Sequence, residues 1–365
     1  MPVVTTYALY RALLGFACQA PVFALFALDR GAGYRDLTLW TLAFAAAKAA
    51  CDVPAGVFAD RLGRRPALLA RAGLEALSVA VLFDHRFLLS SVLAGAACAF
   101  SSGAEAAFVY EHRPRDFARV FGRAASWSAI SAAAAAVIGG ALATVNVDLV
   151  FVLRLIALLG AGAVALALPE PPRRAAEVVA APPSRLRLAR ILAFAGALGA
   201  VQVAALQLQP PFLREAGVPL AALGGLYVAF QAAGAVGARL AWRLPRALPS
   251  VALASAAGFA VMAALSGLPA VLGVFLLKLA HGVSLPVFGR ALNERAPGGA
   301  RATALSLRSL FEGAALLLAA PALGWAADSI SLRAAFGLAA LLVVPSLLLS
   351  EAVPCAVSSG SPARA

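Results

Sequence analysis

Val53-Pro-Ala-Gly-Val-Phe-Ala-Asp-Arg-Leu-Gly-Arg-Arg-Pro66 lies between two long apolar runs and breaks them with a turn glycine, one acid and three arginines. Gly56, Asp60, Arg61, Gly63, Arg64 and Arg65 carry the pattern. Around it, the 365-residue chain is 62% hydrophobic and only 13% charged, with a mean hydropathy of +0.89. Soluble globular chains are nearer half apolar and a quarter charged. The composition therefore describes a polytopic membrane protein. A spanning helix takes roughly 20 apolar residues, so twelve would use about 240 of the chain.

Expected helices fall near 6–28, 38–58, 66–83, 87–110, 120–143, 149–168, 189–208, 220–241, 249–265, 269–292, 302–325 and 332–350. This predicts an all-α integral membrane fold. The segment 169–188 is long, Pro-rich and basic, and is read as a cytoplasmic linker. It divides an N-terminal six-helix bundle, 1–168, from a C-terminal one, 189–352, with a cytoplasmic tail at 353–365. Met1–Tyr7 has no basic region and no cleavage site follows, so the first helix is expected to stay as an uncleaved anchor. With the N-terminus inside, only Arg30, Arg35, Arg86, Arg214 and Arg333 fall on the outer side, while most other arginines fall on the inner one. Positive-inside bias then puts both termini in the cytoplasm and requires an even number of spans.

A net charge of +13 does not indicate nucleic-acid binding, because the charge is spread over interhelical loops instead of one surface. Cys18, Cys51 and Cys98 fall in expected helices and behave as small hydrophobes; with Cys355 they form no disulfide or metal spacing. No phosphate loop, Gly-x-Ser-x-Gly elbow or His-Glu-x-x-His pair is present, which excludes those ATPase and hydrolase classes. With 3 His in total, a zinc site is not expected. The chain is read as a non-enzyme without cofactors.

A weak internal repeat supports two halves. One offset lays Gly56, Arg61 and Arg65 over Gly234, Arg239 and Arg243, but Asp60 meets Ala238; another lays Arg123 over Arg308 and Gly139 over Gly324.

The Gly56–Arg65 spacing resembles the signature loop between helices 2 and 3 of the major facilitator superfamily of secondary transporters. The resemblance implies two pseudo-symmetric six-helix bundles around a central cavity, with alternating access by rocking. It also implies that the loop is a conformational switch that meets the start of helix 11, near Arg301–Arg308, when the protein opens outward. Asp60 can face a helix N-terminus, worth about 0.3–1 kcal/mol. Arg61, Arg64 and Arg65 are expected to stay cytosolic, bind anionic headgroups and set topology. Helix 4, Gly103-Ala-Glu-Ala-Ala-Phe-Val-Tyr-Glu111, resembles a bacterial drug-efflux-like branch, with Glu105 and Tyr110 at matching places. Helix 5 departs from the antiporter pattern: Ala135-Ala-Val-Ile-Gly-Gly140 lacks its proline.

An ionisable side chain in a span costs about 2.5–3.5 kcal/mol on insertion scales, so each such residue is a candidate site. Asp52, Glu105 and Glu312 are the proton-coupling candidates. Lys48, Lys278, His281 and Tyr110 are the candidates for lining the substrate cavity. Lys48 and Asp52 share a helix face and read equally well as a structural pair. Arg71 and Glu75 read as a structural pair, Glu111 as cytoplasmic packing, and Arg11 and Arg154 as snorkelling residues. The expected function is inner-membrane, proton-coupled efflux of a small organic molecule by a monomer, with protons and membrane lipids as its other partners. Uptake or facilitated diffusion of an organic anion held by Lys48 and Lys278 is the alternative within transport. A non-transporting membrane sensor or scaffold is the alternative of another class.

Overall fold

The computed structural model describes residues 3–102, 104–113, 116–171, 185–241, 247–295 and 301–350. Among them the regular structure is entirely helical. Most of the expected linker and the whole expected tail lie outside the described residues, as do Gly103, Arg243 and Cys355.

The first expected helix is two: α1 (Val3–Gly15) and α2 (Phe23–Asp29). The break contains Pro21, which has no N–H to donate, and follows Gly15, which packs against Ser128 of α7. α3 (Tyr34–Leu62) runs longer than expected at both ends and carries Pro54 inside it. Gly63, at φ 116°, turns the chain directly into α4 (Arg64–Ala80). α5 (Phe87–Ser102) and α6 (Ala104–His112) share the fourth expected helix, followed by α7 (Phe117–Ala143) and α8 (Val147–Leu166). Asn146 caps α8 by accepting from the Asp148 amide. α9 (Arg185–Leu206) starts within the expected linker and meets α10 (Gln209–Glu215) at a 51° bend beside Pro210 and Pro211. The chain continues through α11 (Leu220–Leu240), α12 (Ala247–Ala264), α13 (Val271–Arg295), α14 (Arg301–Ser329) and α15 (Leu332–Ser350).

By length and composition, 6 helices among the described residues are fit to cross a bilayer, or 7 if the bent pair α9–α10 is one span. Most of the remaining expected spans are shortened or interrupted, while α14 is a continuous helix of 29 residues. α12 and α15 hold only short apolar stretches, α1 and α2 are separated by the break, and α4 carries Arg64, Arg65, Arg71 and Glu75.

Side chains sort by chain half. One apolar core gathers Tyr7, Tyr10, Phe26, Phe108 and Phe151 from α1, α2, α6 and α8. Another gathers Phe194, Phe212, Phe230, Phe259 and Phe336 from α9 to α15. Two helix pairs carry most of the contact between the halves, α3 with α14 and α7 with α11. The second is a backbone approach: a Cβ on Gly224 would overlap the Ala136 carbonyl of α7. Without a hydrophobic drive between helices in lipid, small residues permit such contact and dispersion holds it.

This geometry separates two adjacent glycines. Gly225 has open space where its Cβ would be. Gly224→Leu is expected to cost about 1–3 kcal/mol or more by overpacking, whereas Gly225→Leu costs little. Thermal unfolding of the purified variants in detergent checks this; equal melting would remove the α7–α11 approach as a constraint.

Candidate functional site

Five charged residues form a chain through the N-terminal half. Arg11 of α1 pairs with Glu105 of α6. Arg71 of α4 lies 3.6 Å from Glu105 and 3.7 Å from Glu75, and Glu75 pairs with Arg154 of α8. Neither Arg11 nor Arg154 snorkels. Arg154 is 1% exposed, and its Nη1 also donates to the Leu14 and Phe16 carbonyls at 2.9 Å each. Those carbonyls are left without helical partners where α1 ends, so the arginine closes the break between α1 and α2. The chain carries three positive and two negative groups. Buried polar atoms remain unpaired along it, among them Tyr7 Oη, Arg71 Nη1 and Arg154 Nε. Glu105, read from sequence as a proton carrier, is therefore a sealed acid between two guanidinium groups. Sequence spacing hid this because Arg11 lies 94 residues from Glu105 and Arg71 belongs to another helix.

Arg64 is the hub of the signature loop. Its Nη1 donates to Asp60 at 2.7 Å, and its Nε and Nη2 donate to Glu111 at 3.1 Å. It is thus mostly enclosed and salt-bridged instead of reaching for headgroups. Asp60 is 70% exposed along its side chain and paired with Arg64. A different acid sits on a helix start here: Glu170 accepts from the amides of Arg64 and Arg65, the latter at 2.9 Å, and so caps α4. By sequence Glu170 falls in the expected linker. Beside the loop, Val53, Pro54, Val57, Phe58, Arg61 and Leu62 line an open groove. The side chains of Arg301–Arg308, the expected partners of the loop, lie outside those described.

At the other end of α3, Asp328 of α14 accepts from the Tyr34 amide at 2.8 Å and the Arg35 amide at 2.9 Å. It caps the N-terminus of α3, where a negative charge meets the positive end of the helix dipole. Tyr34 Oη also donates to Glu215 of α10 at 3.3 Å. These contacts bind the two halves together. A 29-residue helix is about 43 Å long, so this closure and the Gly56–Arg65 loop lie at opposite ends of the molecule.

The cavity candidates divide. Lys48 and Asp52 pair on α3 at 3.1 Å, each side chain about 30% exposed. Tyr110 is 53% exposed and lies edge-on to Phe117. On α13, His281 Nδ1 lies 2.9 Å from Gln202 Oε1, Gln202 Nε2 donates to Ser255 Oγ at 3.0 Å, and Ser255 donates to the Val251 carbonyl. That fixed end sets the direction of the chain, so the His281 proton on this side resides on Nδ1. The Glu312 carboxylate lies against Gly199, one turn before Gln202 on α9. No group of three or more His, Cys, Asp and Glu able to hold a metal occurs among the described residues.

Long apolar helices, with the two chain halves joined at the start of α3, fit a membrane-spanning scaffold. The family model of the Major Facilitator Superfamily matches residues 11–271. The chain belongs to this superfamily and is a transporter, not an enzyme. Its structure is similar to that of the nucleoside transporter NupG, with a TM-score of 0.78 at 13% identity, covering 96% of this chain and 99% of that one. It is similar to the POT family transporter PepTSo, with a TM-score of 0.74 at 10% identity, covering 96% and 97%. For the D-xylose-proton symporter the TM-score is 0.72 at 14% identity, covering 97% and 98%. No curated protein matches the sequence.

Breaking the buried pair should cost far more than breaking an outer one. Arg154→Gln is expected to destabilise by roughly 3–5 kcal/mol, because it strips Glu75 of a partner and frees the carbonyls that end α1. Arg30→Gln removes the pair with Asp148, whose side chains are 25% and 48% exposed, and should cost under about 1 kcal/mol. Comparable melting of the two variants would show that Arg154 is not the closure of the α1–α2 break.

Proposed function

We propose that the chain is an inner-membrane secondary transporter of a small organic molecule. In this reading it has twelve spans in two six-helix bundles, with both termini cytoplasmic, and works by alternating access. The observation that carries the reading is the asymmetry along α3. At its start, Asp328 holds the helix N-terminus and the halves are joined. Toward its end, Val53, Val57 and Leu62 are 74%, 44% and 58% exposed. Apolar side chains left bare beside a conformational-switch loop are the surface that the opposite state would cover. On this reading the conformation is open on the side of the Gly56–Arg65 loop, which is the cytoplasmic side under the positive-inside reading. Rocking would release Asp328 from α3 and bring the loop, with Asp60, to the start of α14.

Export in exchange for protons remains the direction we favour, on the resemblance of Gly103–Glu111 to efflux proteins. Asp52 is the better proton carrier of the three acids. It pairs with the single cation Lys48 and is reachable, whereas Glu105 is enclosed by Arg11 and Arg71. Glu312 serves the other half.

Two measurements test this. In a cysteine-depleted background, Val53→Cys should react readily with N-ethylmaleimide, and adding Asp328→Ala should slow that reaction by up to about fivefold. The factor follows from losing on the order of 1 kcal/mol of hydrogen bonding specific to this state. An unchanged rate would contradict alternating access through this closure. In everted vesicles, a transported compound should discharge a respiratory proton gradient with the wild-type chain but not with Asp52→Asn. Equal discharge would take the proton role from Asp52.

A further inference from the structure

The deep charged side chains described above for the N-terminal half are paired. Arg11, Arg71 and Arg154 share Glu105 and Glu75, and Lys48 has Asp52. Lys278, within the candidate span Leu268–Phe288, makes no hydrogen bond or ion pair among the described residues. An interior ammonium without a counter-charge is a cost that a fold does not carry without a return.

Its direction follows from the helix around it. On α13, His281 meets Gln202 of α9, and Gly282 lies against the Gly234 carbonyl of α11. At 3.6 residues per turn, Lys278 falls about 60° from His281 and about 40° from Gly282, between those two contact faces. It therefore points into the gap between α9 and α11. Those helices both touch α13 but form no extended pair with each other. The Phe230–Phe275 ring pair, centroids 4.7 Å apart, walls the α11 side one turn away. On the α9 side, the Gln202–Ser255–Val251 chain holds His281 in one orientation.

We infer that Lys278 is the docking point for the negative charge of the transported molecule, and that this molecule is a small organic monoanion, a carboxylate with an apolar body. The ammonium is a point charge that takes one carboxylate oxygen or both. Among the described residues the site shows no paired guanidinium fork or helix N-terminus of the kind a phosphate dianion would call for. The aromatic wall accommodates the body. This inference rests on the transporter reading and assigns its substrate class.

The test uses the purified full-length chain in detergent. Lactate, benzoate and 3-phenylpropionate are each compared with the corresponding amide in thermal unfolding. At least one carboxylate should raise the midpoint by about 2 °C or more, with no effect of its amide. Lys278→Arg, which keeps the positive charge, should retain the shift; Lys278→Gln should lose it; Lys48→Gln should retain it. Without ligand, Lys278→Gln should melt no lower than wild type, because it removes an uncompensated interior charge. The inference is overturned if no carboxylate shifts the midpoint, if amides act equally, if the shift survives in Lys278→Gln, or if that variant melts much lower without ligand. The last outcome would show a structural ion pair. The maleimide reaction of Val53→Cys needs no ligand, so failure of the transporter reading is seen separately from failure of the anion site.

Discussion

A charge inside an apolar medium needs a partner, and the N-terminal half is arranged around that requirement. Arg154 shows how much one residue organises. Its guanidinium reaches Glu75 on α4 and the exposed carbonyls at the end of α1. With it in place, the first span can be broken in the middle without leaving backbone acceptors unpaired. Through Glu75 the same chain of charges continues to Arg71, Glu105 and Arg11, and so ties α1, α4, α6 and α8 into one body. A rigid half is what a rocking mechanism needs, because motion must be confined to the junction between halves.

At that junction the forces are different in kind. Asp328 on the start of α3 is an exposed, charge-assisted contact between backbone amides and a carboxylate. It is of the order that a change of state can form and break. Glu170 on the start of α4 uses the same chemistry, but within the N-terminal side of the chain, where it fixes the turn at Gly63. The two acids illustrate one physical device, a negative charge on a helix N-terminus. One of them locks a loop and the other closes the transporter at the end away from that loop.

The sequence made some of this legible and concealed the rest for identifiable reasons. The Gly56–Arg65 stretch announced both its family and its place between two helices, because turn chemistry and charge are local. Helix 3 of the present fold was also legible as a long apolar run. The break in the first span was signalled by Gly15 and Pro21, yet a continuous apolar run outweighed them. Arg11 and Arg154 looked like snorkelling residues because each lies about one turn from an expected helix end. Their real partners are remote in sequence, and no spacing rule reaches across that distance. Asp328 and Glu170 carried no signal beyond their type, since a helix cap supplied from another segment exists only once the helices are assembled.

The amino-acid sequence by itself determined the medium, the helical class and the family. Hydrophobic composition, run length and the chemistry of one loop are properties of residues and their near neighbours. The tertiary structure decided which charges are paired and sealed, which end of the molecule is closed, and which cation is left facing a gap. Those depend on contacts between helices far apart in the chain. For the Gly56–Arg65 loop the change is specific: Arg64 became an anchored hub, and Asp60 an exposed group paired with it.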